Sequence, residues 1–267
     1  MIGTTKFSIL VVTLNAETGI EETLLSIKNQ SYGNYEVIIK DGKSTDNTLM
    51  YIPDEDRFKV YIEKDESVYD GMNQAMEYIQ GDYAIFLNAG DAFFDDRVLE
   101  RVDKFIQEKN IIQPCVLYGD YSRGKNSVQY QKRKLNSFFL YRKPLCHQSI
   151  LYHKSILQKN KYNLNYKISA DHELTLRLWK SGVPFIHTEQ VICQYIGGGM
   201  SETPEGKKLA VMEKREAILK YYSKTEVIIY DLIMKMSFVK VREWILSSNS
   251  PNVFRRFYRI LRNQLSK

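Results

Sequence analysis

Short apolar runs and helical periodicity take turns along the first half of this chain. Phe7 to Thr13, Tyr35 to Lys40 and Tyr83 to Leu87 are each built round three to five consecutive apolar residues. Runs of that length between turn residues read as strands buried on both faces. Between the first two, Ile20, Leu24, Leu25 and Ile27 recur at helical spacing until Ser31-Tyr32-Gly33-Asn34 breaks the pattern. Phe58 to Ile62 alternates and reads as a third strand. Tyr69, Met72, Ala75, Met76 and Ile79 mark one face of a second helix, stopped by Gly81-Asp82. The order therefore starts β-α-β and predicts an α/β fold on a parallel sheet with right-handed crossovers.

Beyond Asp91 the pattern loosens. Val98 to Ile106 and Asp171 to Trp179 are helical, and Cys115 to Tyr121, Ser149 to Tyr152 and Val183 to His187 read as strands. Ser127 to Lys134 is polar and reads as an exposed strand or hairpin arm. Glu205 to Tyr222 is a charged helix. No repeat or low-complexity segment interrupts the chain.

The 267 residues suit one large domain with an appendage, and 43% hydrophobic with 26% charged residues is an ordinary globular composition. Cys115, Cys146 and Cys193 form no Cys-x-x-Cys pair, so neither a zinc site nor a disulfide framework is suggested, and a reduced cytoplasmic setting fits. The run from Phe7 to Val12 is too short for a membrane span and reads as the first strand, not as a signal peptide. The net charge of +6 is unevenly placed. From Thr225 to Lys267 there are eight basic residues against three acidic ones, so the body is near neutral and no nucleic-acid footprint is indicated.

Parallel strands point their carboxyl ends to one edge, where ligands bind in open α/β sheets. Thr13-Leu14-Asn15, Asp41 to Asp46 and Asn88-Ala89-Gly90-Asp91 should converge there. These loops hold amide, hydroxyl and carboxylate groups, with no glycine-rich phosphate loop and no Walker lysine. An edge without a basic cradle must hold phosphates otherwise, and a divalent cation on one or two carboxylates is the usual substitute.

Val11-Val12-Thr13-Leu14-Asn15, Lys40-Asp41-Gly42-Lys43-Ser44-Thr45-Asp46, Tyr69-Asp70-Gly71-Met72-Asn73 and Phe86-Leu87-Asn88-Ala89-Gly90-Asp91 resemble, in order, the motifs of family 2 glycosyltransferases. The resemblance runs from residue 6 to about 190 and is nearest to bacterial enzymes of capsule, O-antigen and exopolysaccharide assembly. It implies a GT-A (Rossmann-like) catalytic domain over residues 1–200, a mixed sheet flanked by helices, with a basic amphipathic helical tail over 201–267. It also implies inverting transfer of a sugar from a nucleotide-diphosphate donor to an acceptor hydroxyl, aided by Mg²⁺ or Mn²⁺. A nucleotide-sugar-binding protein without transferase activity is the alternative. A glycoside hydrolase using Asp91 and Asp171 is disfavoured by the β-α-β start.

Carried over by motif, Thr13 and Asn15 line the nucleotide pocket and Asp41 accepts a hydrogen bond from the base, with Tyr69, Asp70, Asn73 and Asn88 joining the donor site. The family's Asp-x-Asp metal motif maps onto Asn88 to Asp91, leaving Asp91 as the metal ligand. Its catalytic base maps onto Asp171, in Ala170-Asp171-His172-Glu173, with Glu173 as the fallback. A positioned base is what a weakly nucleophilic hydroxyl requires. His147 reads either as a donor-site contact or as a satisfied structural histidine. Gly197 to Ser201 reads as a loop over the donor or as a connector.

The apolar-basic stretch Phe254 to Arg262 suits an anionic membrane surface, or packing on the catalytic domain or on a second copy in a homodimer. The expected partners are a nucleotide-sugar donor and a glycan or lipid-linked acceptor. The expected location is the cytoplasm, with peripheral contact at the inner face of the membrane.

Overall fold

The computed structural model describes residues 3–124, 127–197 and 199–236. Its elements run β1 (Phe7–Thr13), α1 (Ile20–Lys28), β2 (Tyr35–Asp41), β3 (Phe58–Ile62), α2 (Val68–Ala75), β4 (Tyr83–Phe86), β5 (Ala92–Phe93) and α3 (Val98–Glu108). The second half continues with β6 (Val116–Arg123), β7 (Val128–Gln129), α4 (Ser137–Arg142), β8 (Ile150–His153), α5 (Lys154–Lys159), α6 (Ala170–Lys180), β9 (Phe185–Tyr195), α7 (Pro204–Tyr221) and α8 (Lys224–Met236). The α/β expectation is met.

One sheet carries the order β3-β2-β1-β4-β8-β6-β9-β5, with β7 pairing against β6. β1, β2, β3 and β4 run parallel, while β8 enters antiparallel beside β4 and makes the sheet mixed. Every residue of β1, β2 and β4 is buried, which is why their apolar runs do not alternate. Burying side chains such as Ile9, Val11, Ile39 and Ile85 contributes roughly 1.5–3 kcal/mol each. On α1, Ile20, Leu24 and Ile27 face this core and Leu25 is exposed, so the helical stripe is narrower than the sequence suggests. β3 is the sheet edge and buries only Phe58.

Helices α4 and α5 and the short β5 are not expected from the sequence, and two of the expected elements differ in extent. The polar arm from Ser127 to Lys134 reduces to two strand residues, because only Val128 and Gln129 find partners on β6. The last strand begins at Phe185 and runs on to Tyr195, in parallel with β6 through a register shift at Asp120. A Cβ on Gly119 would lie 2.5 Å from the Gln190 carbonyl oxygen, so β9 can approach β6 this closely only at glycine. His187 stabilises the same irregularity. Its Nδ1 accepts from the Glu189 N–H at 2.8 Å, which leaves Nε2 to donate to buried Asp120 Oδ1 at 3.1 Å.

The chain forms two compact units, Met1–Tyr221 and Tyr222–Lys267. Helix α7 thus falls within the first unit, whereas the family resemblance implies a tail that starts at residue 201. No helix among the described residues is long and apolar enough to cross a membrane. The basic stretch Phe254 to Arg262 lies outside the described residues.

Candidate active site

The exit loops of β1 and β2 are fastened to each other. Asn15, in the left-handed region at φ 49°, accepts from the Thr45 N–H at 2.8 Å through Oδ1, and its own N–H donates to Ser44 Oγ at 2.9 Å. Fully buried Asp41 accepts from the Ser44 N–H at 2.7 Å and from the Ser44 hydroxyl at 2.5 Å. Asp70 sits in the first turn of α2, where its carboxylate accepts from the Glu66 N–H at 3.0 Å and from Gln74 Nε2 at 3.1 Å. Buried Asn73 bonds both backbone groups of Tyr162, at 2.8 and 3.0 Å. These four residues do not line the central cavity; they hold the segments that do.

That cavity, about 910 Å³, is lined by Thr13, Tyr69, Asn88, Asp91, His147 and Asp171, so six of the predicted site residues meet in one place. Thr13 Oγ1 and Asn88 Oδ1 are buried there and find no hydrogen-bond partner among the described residues. Such groups are costly to leave unmet in an isolated protein and are natural ligand contacts.

The turn from Asn88 to Asp91 is built round Gly90. Gly90 has φ +97°, and its N–H donates to the Gly19 carbonyl at 3.1 Å and to Thr23 Oγ1 at 2.9 Å. A carboxylate-bearing L-residue is strained in that conformation, whereas glycine is not. Asp91 is 6% exposed, and its carboxylate accepts from Gln148 Nε2 at 2.8 Å and from the Ile196 N–H at 3.2 Å. Burial pushes its pKa up to about 6 against the pull of these two donors. Gln148 belongs to a segment held by Gln131, which accepts from the Cys146 N–H at 2.9 Å and donates to Ser149 Oγ at 2.9 Å.

Asp171 occupies the first turn of α6. The Tyr69 hydroxyl lies 2.8 Å from the Ile168 carbonyl oxygen and 3.2 Å from Asp171 Oδ1. Burial and the Asp171 charge keep that phenol well above its usual pKa, so it serves as a donor. The segment leading into α6 is gripped by Glu213 of α7, whose buried carboxylate accepts from the N–H groups of Lys167, Ile168 and Ser169 at 2.7, 2.9 and 2.8 Å. Glu173, the fallback base, is committed elsewhere: 1% exposed, it pairs with Arg177 at 3.3 Å and Lys220 at 3.6 Å and accepts from the Tyr221 hydroxyl. His147 stacks on Phe86, lies 3.5 Å from the Tyr162 hydroxyl through Nδ1, and leaves Nε2 buried with no partner among the described residues. Burial lowers its pKa, so the ring is neutral at pH 7.

The basic cradle absent from the strand-end loops comes from other segments. Arg123, Lys143, Lys167, Lys207 and Lys214 line the cavity beside the carboxylates of Asp91, Asp171 and Glu202. Arg123 is paired with Glu202 at 2.8 Å, and the Tyr195 hydroxyl donates to the same carboxylate at 3.2 Å. Gly197 and Gly199 line the cavity on the segment between Tyr195 and Glu202. Among the described residues no cluster of three or more His, Cys, Asp or Glu could enclose a metal alone. Asp91 and Asn88 Oδ1, which has no partner among the described residues, offer two hard oxygen donors to the cavity, a donor set that fits a divalent cation.

Gln148, Glu213 and the α7 lysines were not singled out from the sequence. Gln148 had the one available signal, its place beside His147 ahead of a strand; Glu213 is one of several charges on a charged helix.

Comparison with known proteins gives the family and the fold. The family described as glycosyl transferase family 2 matches residues 8–171. A PGL/p-HBAD biosynthesis glycosyltransferase of Mycobacterium bovis is 30% identical over 208 residues, covering 74% of this chain and 79% of that protein. The putative teichuronic acid biosynthesis glycosyltransferase TuaG of Bacillus subtilis is 33% identical over 108 residues, 39% of this chain and 42% of its own. Among solved structures, S. aureus TarS 1-349 in complex with UDP-GlcNAc superposes with a TM-score of 0.65 at 20% identity, covering 82% of this chain and 68% of that one, a likeness of fold to a GT-A-type sheet. On the family match and the mycobacterial relative, this chain belongs to glycosyl transferase family 2.

Proposed function

We propose that this chain transfers a sugar from a nucleotide-diphosphate donor to an acceptor hydroxyl, with inversion at the anomeric carbon, in the assembly of a bacterial surface polysaccharide. One observation carries the reading: Asn88 and Asp91 from the end of β4 line the same cavity as Asp171 from the start of α6. The names of the mycobacterial and Bacillus relatives support the biosynthetic setting, and the TarS complex supports a nucleotide sugar as donor.

In this reading Asp171 takes the proton of the acceptor hydroxyl as its oxygen attacks C1. The bond from C1 to the diphosphate breaks on the opposite face, so a single displacement inverts the configuration. Tyr69 keeps one oxygen of Asp171 in place and leaves the other for the acceptor. Thr13 Oγ1 and Asn88 Oδ1 supply unspent polar groups to the donor. Asp91, oriented by Gln148 and the Ile196 N–H, would hold Mg²⁺ or Mn²⁺ together with Asn88. When bound, such an ion neutralises charge on the leaving diphosphate. Asp41 and Asn15 lock the two loops that frame the nucleotide.

The test is proton NMR of product formed from a panel of nucleotide sugars, with Asp171→Asn beside the wild type. We expect the inverted anomer, and a loss of turnover in the variant of about a hundredfold or more with donor affinity kept. A retained anomer, or unchanged turnover in the variant, would overturn the assignment.

A further inference from the structure

We propose that the acceptor carries phosphate, bound by Lys167, Lys207 and Lys214 beside Asp171; this rests on Asp171 being the base. Lys207 and Lys214 are seven residues apart on α7, two turns, and so share one face. Ala210 and Val211 between them line the cavity as well, which makes the stripe continuous. Lys167 precedes Asp171 by four residues, on the segment whose N–H groups Glu213 grips. Lys214 lies close enough to His172, next in sequence after Asp171, to oppose protonation of that ring.

The charge on this side of the cavity is unbalanced. Among the described residues no carboxylate pairs with any of these three lysines, whereas Arg123 is taken by Glu202. The nearby acids are also committed, Glu213 to three backbone N–H groups and Glu173 to Arg177 and Lys220. The excess lies where the acceptor must come, since its hydroxyl has to reach Asp171. The donor diphosphate belongs at the other wall, with Asn88 and Asp91. A neutral sugar gains little from three unpaired ammonium groups, while a phosphate can accept from all of them. The exposed apolar side chain of Val211, at 69%, lies on α7 between the two lysines, also lines the cavity and suits a phosphate borne on a hydrocarbon chain.

Calorimetry on the full chain saturated with UDP and Mg²⁺, titrated with inorganic phosphate and with farnesyl monophosphate, tests this. We expect both probes to bind, and Lys207→Ala/Lys214→Ala to weaken both by about tenfold or more, the equivalent of one or two charged hydrogen bonds. Lys207→Arg/Lys214→Arg should retain most of the affinity, and UDP should bind all three proteins alike. Tighter binding of farnesyl monophosphate assigns the phosphate to a lipid carrier; equal binding assigns it to a soluble or polymeric acceptor. Undiminished phosphate binding in the alanine variant overturns the proposal, as does a matching loss of UDP affinity, which would put the lysines in the donor site. If UDP does not bind at all, the donor reading is at fault, and the phosphate comparison still decides the lysines.

Discussion

The phenol of Tyr69 stands 3.2 Å from Asp171 Oδ1, joining a helix of the N-terminal half to the acid at the start of α6. Because Tyr69 also faces the Ile168 carbonyl oxygen, its one proton restrains both the side chain and the backbone that leads to it. Tyr69→Phe should therefore lower kcat by roughly ten- to a hundredfold, the worth of one hydrogen bond to a charged group, with KM for the donor little changed. Steady-state kinetics checks this; a fall confined to donor KM would argue that Tyr69 contacts the donor instead.

Glu213 has no access to reacting atoms and acts through the loop that it holds. Glu213→Gln keeps one acceptor oxygen and should lose less kcat than Glu213→Ala, which strands three N–H groups. Loss of such a buried network costs about 2–4 kcal/mol of stability. Thermal melts of both variants, read beside kcat, separate loop placement from unfolding: at temperatures where Glu213→Ala remains folded its kcat should still be reduced.

Asp91 titrates higher in the folded chain than its ordinary 3.8, near 6, because it is buried. A raised carboxylate pKa favours folding while the group is neutral. Its contribution is fully present below 3.8 and is lost as pH rises through about 6. Cation binding requires the ionised form, so metal-dependent donor affinity should climb as pH rises through about 6 and then level off. Titrations of UDP with Mn²⁺ between pH 5 and 8, in wild type and Asp91→Asn, would show the climb only in the wild type.

His172 opposes this trend. Burial lowers its pKa to about 4 from 6.5, so it stabilises the fold above 6.5 and the contribution disappears as pH falls toward 4. Because burial lowers His147 and His153 as well, denaturant midpoints of the metal-free protein should fall as the pH drops from 6 to 4, and fall more steeply in Asp91→Asn, which lacks the opposing carboxyl. An equal slope in the two proteins would remove the assigned opposition.

Restoring a carboxylate at position 90 should not restore a stronger metal site. Gly90→Asp must adopt φ +97°, at a cost of about 1–2 kcal/mol, although nothing lies within 4 Å of the added Cβ. A lower melting temperature without tighter Mn²⁺ binding is the expected result.

The sheet was legible because parallel strands buried on both faces leave uninterrupted apolar runs, as in Phe7 to Thr13. Thr13, Asn88 and Asp91 were legible because they end or follow such strands, and Asp171, at the start of a helix, only through the motif resemblance. Gln148, Glu213 and Lys214 were not, since each acts on residues 44 to 57 positions away or across the cavity, and nothing local distinguishes their roles. Exposed Leu25 and the extension of β9 past His187 were hidden for a related reason: tertiary packing overrode the local pattern.

The fastening of Asn15 to Thr45 and of Asp41 to Ser44 has a thermodynamic consequence. If the two loops frame a nucleotide as proposed, they are already in one conformation before it arrives, and little backbone freedom is left to surrender on binding. Association should then be nearly rigid-body, with a heat-capacity change set by the surface covered and not by loop folding. Cutting the Asn15 latch would show up first as a larger entropic penalty, before any change in the chemistry at Asp171.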